Sequence, residues 1–266
     1  MKYCNVIKDG EIRLAVEKEG KLYDLFPLTM EELVRGAEPG VPGEEIPDPV
    51  FAKVVKAEKL VCVGLNYKSH ADRVGENFVR AESPILFSKF GNALVPSGAD
   101  VELPSWEDSY DYEAELVIVM GKTAWNIDVS EAAEHIFGYT CGNDLSLRRA
   151  QKMTSQWLIG KTMPGFGPCG PFIVTADSFD PEEGKRIRSY VNGELRQDGS
   201  TSEMIFSCAE IVAFASKFIR LEPGDLIYTG TPSGVALEQK DAKWLKPGDL
   251  VEVEIEDIGR LVNRMV

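Results

Sequence analysis

Two glutamates stand two residues apart at the start of an apolar, β-branched segment. Glu113 and Glu115 lead into residues 116–120. If this segment is a strand, side chains alternate between its faces, so both carboxylates point the same way. Near a core, their mutual repulsion and desolvation are both costly, whereas a divalent cation between them removes both problems. An ordinary half-exposed strand with the acids in water is the alternative.

Further charged and amide side chains follow in the sequence. Asp144 ends a strand-like segment, either as a metal ligand or as the cap of the next turn. Arg148 and Gln151 are three residues apart, so on a helical turn they share a face. Lys161 stands in a glycine-rich loop without the Walker pattern, and prolines around it disfavour the helix that a phosphate loop needs.

Histidine is scarce, since only His70 and His135 occur. His70 follows an apolar strand that ends in a polar turn, which suits a cleft, although a loop histidine bonded to backbone is the alternative. His135 is near the C-terminal end of a predicted helix, where the dipole favours a cation. Gly230 and Thr231 end another strand, and backbone amides there could receive a carboxylate.

The first part of the chain is predicted to be a small unit. Three short strands at 3–7, 12–17 and 21–24 are followed by a helix from Thr29, with Glu32 completing a capping box. A Pro- and Gly-rich stretch then reads as a linker. We therefore expect a small N-terminal α+β domain with its linker at 1–50 and a catalytic domain at 51–266.

The catalytic domain is predicted to be β-rich. Asp128 and Ser207 cap two amphipathic helices, of which the first carries Val129, Ile136 and Phe137 on its apolar face. Strands outnumber the helices and do not alternate with them, which favours an α+β fold over a doubly wound one. The strand candidates are 59–63, 84–87, 115–120, 172–175, 188–191, 226–229, 250–255 and 259–263.

Composition excludes several classes of partner. The 266 residues carry a net charge of −14, which disfavours binding to nucleic acid. No run of roughly 18 apolar residues exists, so no membrane span is expected. The N-terminus lacks an apolar signal region, and the 5 cysteines are scattered, so we expect free thiols in the cytoplasm.

A series of motifs in this order resembles the fumarylacetoacetate hydrolase superfamily from about residue 59 to the C-terminus. Within that superfamily the chain resembles small bacterial acylpyruvate hydrolases and 2-hydroxyhepta-2,4-diene-1,7-dioate isomerases. The motifs are VGLNYxxH, DYExEL, GYTxxNDxSxRxxQ, GKT…GP, VNGExRQ, STSxMIF, LEPGDxIxTGTPxGV and LxPGDxVEVEIExIGxLxN.

The resemblance implies a fold, a cofactor and an assembly. The family fold is a mixed β-sandwich roll, and members are usually homodimers. The resemblance assigns Glu113, Glu115 and Asp144 as ligands of one Mg²⁺ or Mn²⁺ ion, and leaves Asp111 as a flanking polar residue. Substrates in the family are small 2-oxo or 1,3-dioxo acids, which include intermediates of aromatic catabolism.

The resemblance also implies catalytic roles. His70 is expected to act as the base, with Arg148, Gln151 and Lys161 as stabilisers of oxyanion charge. The substrate contacts are expected to come from Thr231, Gly230 and Tyr67.

One position departs from the pattern of the family's small hydrolases. The glutamate that usually follows the histidine by three residues is replaced by Arg73, and Glu76 is the predicted substitute. We expect C–C hydrolysis of an acylpyruvate, with isomerisation or oxaloacetate-type decarboxylation as the alternative. A non-catalytic metal-binding or ligand-sensing protein and a nucleotide-binding protein are weaker hypotheses. We expect substrate specificity to come from the lid at 72–83, with the N-terminal unit as a further source. Arg73 and Arg80 in the lid suggest a second acidic group on the substrate, and solvated surface arginines are the alternative.

Overall fold

The computed structural model of the chain describes residues 1–74 and 82–266. Short strands dominate it, and the helices are few and short. The strands are β1 (Lys2–Lys8), β2 (Glu11–Lys18), β3 (Lys21–Asp24), β4 (Val50–Phe51), β5 (Leu60–Gly64), β6 (Ile85–Lys89), β7 (Leu94–Val95), β8 (Asp100–Val101), β9 (Tyr110–Asp111), β10 (Ala114–Met120), β11 (Ile136–Asn143), β12 (Ser146–Leu147), β13 (Gly167–Pro168), β14 (Ile173–Thr175), β15 (Arg186–Val191), β16 (Glu194–Ser200), β17 (Leu226–Tyr228), β18 (Leu250–Ile255) and β19 (Gly259–Met265). The α-helices are α1 (Met30–Val34), α2 (Lys68–Val74), α3 (Arg148–Gln151), α4 (Leu158–Lys161) and α5 (Cys208–Ser216), and 3-10 helices form at Val129–His135, Ala176–Ser178, Pro181–Glu183, Thr201–Glu203 and Ala236–Glu238.

A large mixed sheet runs through the described residues. Its strand order is β3-β2-β1-β14-β11-β10-β17-β5-β6, and β4 pairs with β1. The β17–β5 pair is parallel, whereas its neighbours are antiparallel. A second sheet has the order β16-β15-β18-β19-β8, and two small sheets pair β12 with β9 and β13 with β7. This arrangement is a β-rich α+β fold, as the sequence predicted.

The central strand β10 is buried along its whole length. Leu116 and Ile118 belong to a core cluster shared with the second sheet and α5, whereas Val117 and Val119 belong to a cluster with the N-terminal strands. A strand covered on both faces reads as a continuous apolar run, which explains its sequence. Glu115 lies in this fully buried strand and Glu113 directly before it, and both acids are buried, so the half-exposed alternative is wrong.

Local sequence signals place several helix starts. The capping boxes Thr29–Glu32 and Ser207–Glu210 form at α1 and α5. The box at Asp128 also forms, but the segment after it is a 3-10 helix that ends at His135. The following apolar residues, Ile136 and Phe137, begin β11 instead of continuing a helical face, because Ile136 pairs with Met120 at the end of β10.

The N-terminal strands extend the large sheet, since Lys2 and Tyr3 of β1 pair with Val174 and Ile173 of β14. The division of the chain at residue 50 stays a prediction. Within the described residues, no helix is both long and apolar enough to cross a bilayer.

Candidate active site

Three carboxylates meet where β10 begins and β11 ends. Antiparallel pairing of β10 and β11 sets Glu115 opposite Gly142. Asp144 follows directly after β11 and therefore lies beside Glu113, and the Asp144 amide donates to the Glu113 carbonyl at 2.9 Å. One carboxylate oxygen from each of Glu113, Glu115 and Asp144 lies within 4.8 Å of the others, and all three residues are buried. The sequence prediction of a shared acidic cluster matches this geometry.

Cationic side chains neutralise part of this charge. The Lys161 ammonium lies 2.8 Å from both Glu113 Oε2 and Asp144 Oδ2. Lys89 Nζ lies 2.5 Å from the other Asp144 oxygen, and Arg148 NH2 lies 2.7 Å from Glu113 Oε1. Each of these cations is itself buried, so the pairs are poorly screened by solvent.

Glu115 is the carboxylate that these cations leave out. Its hydrogen-bond donor is the Gly230 amide, at 2.9 Å, and no ion pair to it forms within residues 1–74 and 82–266. Burial, and then the charges of Asp144 and Glu113, raise its pKa well above the usual range. Burial also disfavours the charged form of Glu113, but Lys161 and Arg148 outweigh this and lower its pKa.

The three carboxylates fit a divalent cation. Oxygen ligands alone suit Mg²⁺ or Mn²⁺ better than softer metals. Burial is the main cause of the raised pKa of Glu115, and no cation pairs with this carboxylate within the described residues. The three carboxylates therefore offer the donor set of a metal centre, and a bound cation would give Glu115 the opposite charge that it lacks.

A histidine–glutamate pair stands at the same cavity. His70 lies on α2, and its Nδ1 contacts the Glu238 carboxylate, which ends the 3-10 helix Ala236–Glu238. The second Glu238 oxygen accepts the Gly234 amide at 2.6 Å. Both side chains are nearly buried, at 9% and 3% exposure, so the contact is shielded from water. An acidic partner for His70 is therefore present despite Arg73.

Glu238 was missed by the sequence analysis, which predicted Glu76 as this partner. Glu76 is outside the described residues, and the side chain of Arg73 is not described either. One feature of the sequence could have pointed to Glu238 as the partner of His70. It is the only acidic residue between Asp225 and Asp241, and it follows shortly after the TGTPxGV motif.

Arg148, Gln151 and Lys161 lie together, as the sequence predicted. Arg148 and Gln151 begin and end α3, and Arg148 NH1 donates to Gln151 Oε1 at 3.0 Å. Lys161 ends α4, so it lies on a helix and not in the expected loop. Burial disfavours the charge of Lys161, but Asp144 and Glu113 outweigh it and raise the pKa of the ammonium. Both cations therefore stay charged at neutral pH.

A small cavity of about 170 Å³ joins these groups. Drug-sized ligands occupy roughly 300–1,000 Å³, so the cavity suits a smaller molecule. Its apolar lining includes Phe87, Trp157 and Leu237. The polar and charged lining residues are His70, Glu113, Glu115, Arg148, Gln151, Lys152, Lys161 and Thr231.

The predicted substrate contacts fall in different places. Thr231 lines the cavity, and its hydroxyl donates to the Ala114 carbonyl and accepts from Gln197. Gly230 lies behind the cavity wall with a positive φ of 98°, and its amide is bonded to Glu115. Tyr67 is fully buried in the core and does not line the cavity.

Two further residues of the cluster were not predicted. Lys89 sits at the end of β6, fully enclosed by Asp144 and the carbonyls of Leu145, Lys161 and Phe166. The interpretation of Asp111 as a flanking polar residue is wrong, because its carboxylate is completely buried and lies 2.8 Å from Arg148 Nε.

Comparison with known proteins agrees with this geometry. Residues 59–266 match the family described as fumarylacetoacetate (FAA) hydrolase C-terminal. The human mitochondrial oxaloacetate tautomerase FAHD2A is 38% identical over 230 residues, which cover 86% of this chain and 72% of that protein. A fumarylacetoacetate hydrolase from Exiguobacterium antarcticum superposes with a TM-score of 0.92 at 35% identity, covering 100% of this chain and 99% of the other. A 2-hydroxyhepta-2,4-diene-1,7-dioate isomerase from Mycobacterium marinum gives 0.83 at 32% identity, with 100% and 98% covered. The chain thus belongs to the fumarylacetoacetate hydrolase family.

Proposed function

We propose that this enzyme is a divalent-metal-dependent isomerase that moves a proton on small 2-oxo acids, with oxaloacetate-type acids as substrates. The observation that supports the proposal is that His70, paired with Glu238, lines the same small cavity as Glu113 and Glu115 of the acidic cluster. Keto–enol isomerisation needs a base near the acidic carbon and groups that stabilise an enolate. The cavity holds both.

The carboxylates of Glu113, Glu115 and Asp144 would hold the metal, which we propose to be Mg²⁺ or Mn²⁺. When bound, such an ion supplies Lewis-acid polarisation of the substrate carbonyl. Lys161 contacts two of these carboxylates in their present arrangement, so it also orients them.

His70 is the proposed base. An ionised carboxylate only accepts hydrogen bonds, so Glu238 keeps the imidazole proton on Nδ1. The other ring nitrogen, Nε2, is then the atom that takes a proton from the carbon next to the 2-oxo group. The same nitrogen then gives the proton to the enolate oxygen, which yields the enol, and in the enol-to-keto direction the two transfers run in reverse.

Arg148 and Lys161 stabilise the enolate charge. A guanidinium has five N–H donors, and three of its contacts here go to Asp111, Glu113 and Gln151. An ammonium has three donors, and Lys161 uses two of them on carboxylates. Each cation therefore retains donors for substrate oxygen atoms, and both are held in place before the substrate arrives.

The names of relatives support an isomerase. The human relative is named an oxaloacetate tautomerase, and the protein from M. marinum is named an isomerase. Both names describe rearrangements in which the carbon skeleton stays intact.

Hydrolysis of a C–C bond in an acylpyruvate is the second candidate. It is favoured by the same His70–Glu238 pair, because a histidine oriented by a carboxylate can also activate water. Decarboxylation of oxaloacetate-type acids remains the third reaction that this site chemistry could support.

The test offers the Mg²⁺-loaded enzyme freshly dissolved enol-oxaloacetate and, separately, acetylpyruvate. Faster loss of the enol absorbance without pyruvate formation supports the isomerase. Pyruvate from acetylpyruvate supports the hydrolase instead, and pyruvate from oxaloacetate supports decarboxylation. A His135→Gln variant is the matched control, since it changes the only other histidine. An enzyme that accelerates none of these reactions would refute the proposal.

The proposal includes a homodimer in the cytoplasm. Light scattering of the purified enzyme would test the dimer, and a monomer at micromolar concentration would contradict it.

A further inference from the structure

We propose that Asp111 is a positioning residue that holds Arg148 and the His70–Glu238 pair in a fixed relation to each other. The inference rests on the proposed function for its kinetic part. Asp111 is completely buried and does not line the cavity, so it has no direct contact with a substrate.

The Asp111 carboxylate is saturated with donors. Its Oδ1 accepts the amides of Tyr112 at 2.9 Å and Ala236 at 2.8 Å. Its Oδ2 accepts the amide of Leu237 at 3.0 Å and Arg148 Nε at 2.8 Å. A carboxylate offers about four acceptor sites, so every one of them is used.

Two of these bonds secure the helix that carries Glu238. The 3-10 helix Ala236–Glu238 has no side-chain cap of its own, since its N-cap residue is Val235. Its first two amides are capped instead by Asp111, from 125 and 126 residues away in the sequence. The third residue of that helix is Glu238, which contacts His70. Asp111 therefore determines where the partner of the base stands.

The remaining charged bond secures Arg148. Nε is tied to Asp111, while NH1 and NH2 reach Gln151 and Glu113. Fixing one edge of a planar guanidinium fixes the direction of all its other N–H groups. One carboxylate thus sets both the base side and the oxyanion side of the cavity.

Asp111→Asn is the decisive substitution. An amide has one acceptor and one donor end. If the oxygen stays with Tyr112 and Ala236, the new NH₂ faces Leu237 and Arg148, which are both donors. The opposite orientation sets the NH₂ against the other two amides. Either way, one side of the arrangement is lost although the volume is unchanged.

The matched control is Asp225→Asn. Asp225 is also buried, accepts the amides of Lys59 and Glu222, and pairs with Lys59 Nζ at 2.8 Å. It does not line the cavity. This control therefore reports what a lost buried carboxylate costs in stability alone.

The first readout is independent of turnover. The chain has 2 histidines, so a long-range ¹H–¹⁵N spectrum shows only two imidazoles, and His135→Gln assigns them. We expect Asp111→Asn to move the His70 ring nitrogen signals away from those of the Nδ1–H form, whereas Asp225→Asn leaves them in place. Unmoved His70 signals in folded Asp111→Asn would overturn the inference.

The second readout is a double-mutant cycle on oxaloacetate tautomerisation. Loss of a residue that orients metal ligands typically costs about 10- to 100-fold in metal affinity or activity, and we expect a fall in kcat of the same order for Asp111→Asn, because Asp111 orients Glu238 and Arg148 in a similar way. Combined with Glu238→Gln, the loss should be smaller than the product of the two single losses, because part of the Asp111 effect reaches His70 through Glu238 while the rest acts through Arg148. Losses that multiply in full would contradict the link from Asp111 through Glu238 to His70. If the wild type turns nothing over, the proposed function fails while the spectrum still decides the role of Asp111.

A milder variant covers the case in which Asp111→Asn does not fold. Ala236→Pro deletes one amide bond to Asp111 at the first position of the 3-10 helix, where proline is tolerated. The preceding residue, Val235, already has the extended conformation that proline requires, with φ −60° and ψ 154°. We expect a smaller displacement of the same His70 signals, and no displacement would again overturn the inference.

Discussion

Replacing Glu238 by glutamine should convert His70 from a base into a donor. The Glu238 carboxylate accepts from the Gly234 amide at 2.6 Å through one oxygen and contacts His70 Nδ1 through the other. In Glu238→Gln the single carbonyl oxygen is needed by the Gly234 amide. The NH₂ group then faces Nδ1, which must accept, so the proton moves to Nε2. The nitrogen that faces the substrate in the proposed reaction is then unable to take a proton.

The size of the effect follows from the chemistry that is lost. A positioned general base contributes roughly 100- to 10,000-fold to rate. That range corresponds to about 3–5 kcal/mol of transition-state stabilisation. The contact is shielded from solvent, so water does not replace the missing acceptor. We expect kcat for tautomerisation to fall within that range, while Mg²⁺ affinity changes little because Glu238 is not among the three clustered carboxylates.

Stopped-flow measurement of enol-oxaloacetate decay tests this expectation, with calorimetric Mg²⁺ titration beside it. Glu210→Gln is the control, because Glu210 completes the capping box of α5, where glutamine serves equally well. Loss of the base should lower kcat at least about 100-fold. A Glu238→Gln enzyme whose kcat is within about threefold of the wild-type value would therefore refute the assignment of His70, oriented by Glu238, as the base.

Three further substitutions test the remaining parts of the site and fold. Glu115→Gln removes a buried charge that is repelled by Asp144 and Glu113, so the Tm of the metal-free protein should rise by roughly 2–4 °C for each kcal/mol of stability gained. The increase in Tm on addition of Mg²⁺ should vanish, because one of the three proposed ligands is lost. An unchanged Mg²⁺ response in scanning fluorimetry would contradict the metal site. Gly230→Ala places a Cβ 2.9 Å from Asn66 Cβ, at a φ of +98° that disfavours a side chain, and should therefore displace the amide that donates to Glu115. Because contacts that orient metal ligands are worth about tenfold or more in affinity, calorimetry should show Mg²⁺ binding at least about tenfold weaker. Equal affinity would show that this amide does not orient Glu115. Ile118→Ala leaves a cavity in the fully buried β10 and should cost about 2–5 kcal/mol in urea unfolding. Exposed Val129→Ala should cost less than about 0.5 kcal/mol, and similar costs for the two would contradict the placement of the core.

Local patterns explain what the sequence predicted well. Glu113 and Glu115 share a face because they are two residues apart at the start of one strand, and Asp144 follows the strand that pairs with it. The helix start at Ser207 is likewise coded within four residues. Motifs of this kind depend on backbone periodicity, which a sequence displays directly.

Long-range pairing explains what the sequence left out. His70 and Glu238 are 168 residues apart, and no local pattern links them. Asp111 was set aside on the resemblance, and its partners Arg148, Ala236 and Leu237 lie 37 to 126 residues further along the chain, where no local pattern displays them. The 3-10 geometry after Asp128 was missed because a capping box predicts where a helix begins and not its type or length.

The most direct test of the account follows enol-oxaloacetate decay in four samples: wild type and His70→Gln, each with Mg²⁺ or with a chelator. We predict acceleration in the Mg²⁺-loaded wild type alone, because His70 lines the same cavity as Glu113 and Glu115, two of the three carboxylates that would hold the metal. Equal acceleration by Mg²⁺-loaded His70→Gln, or by the chelator-treated wild type, would contradict the claim that this cavity moves a proton on a metal-held 2-oxo acid.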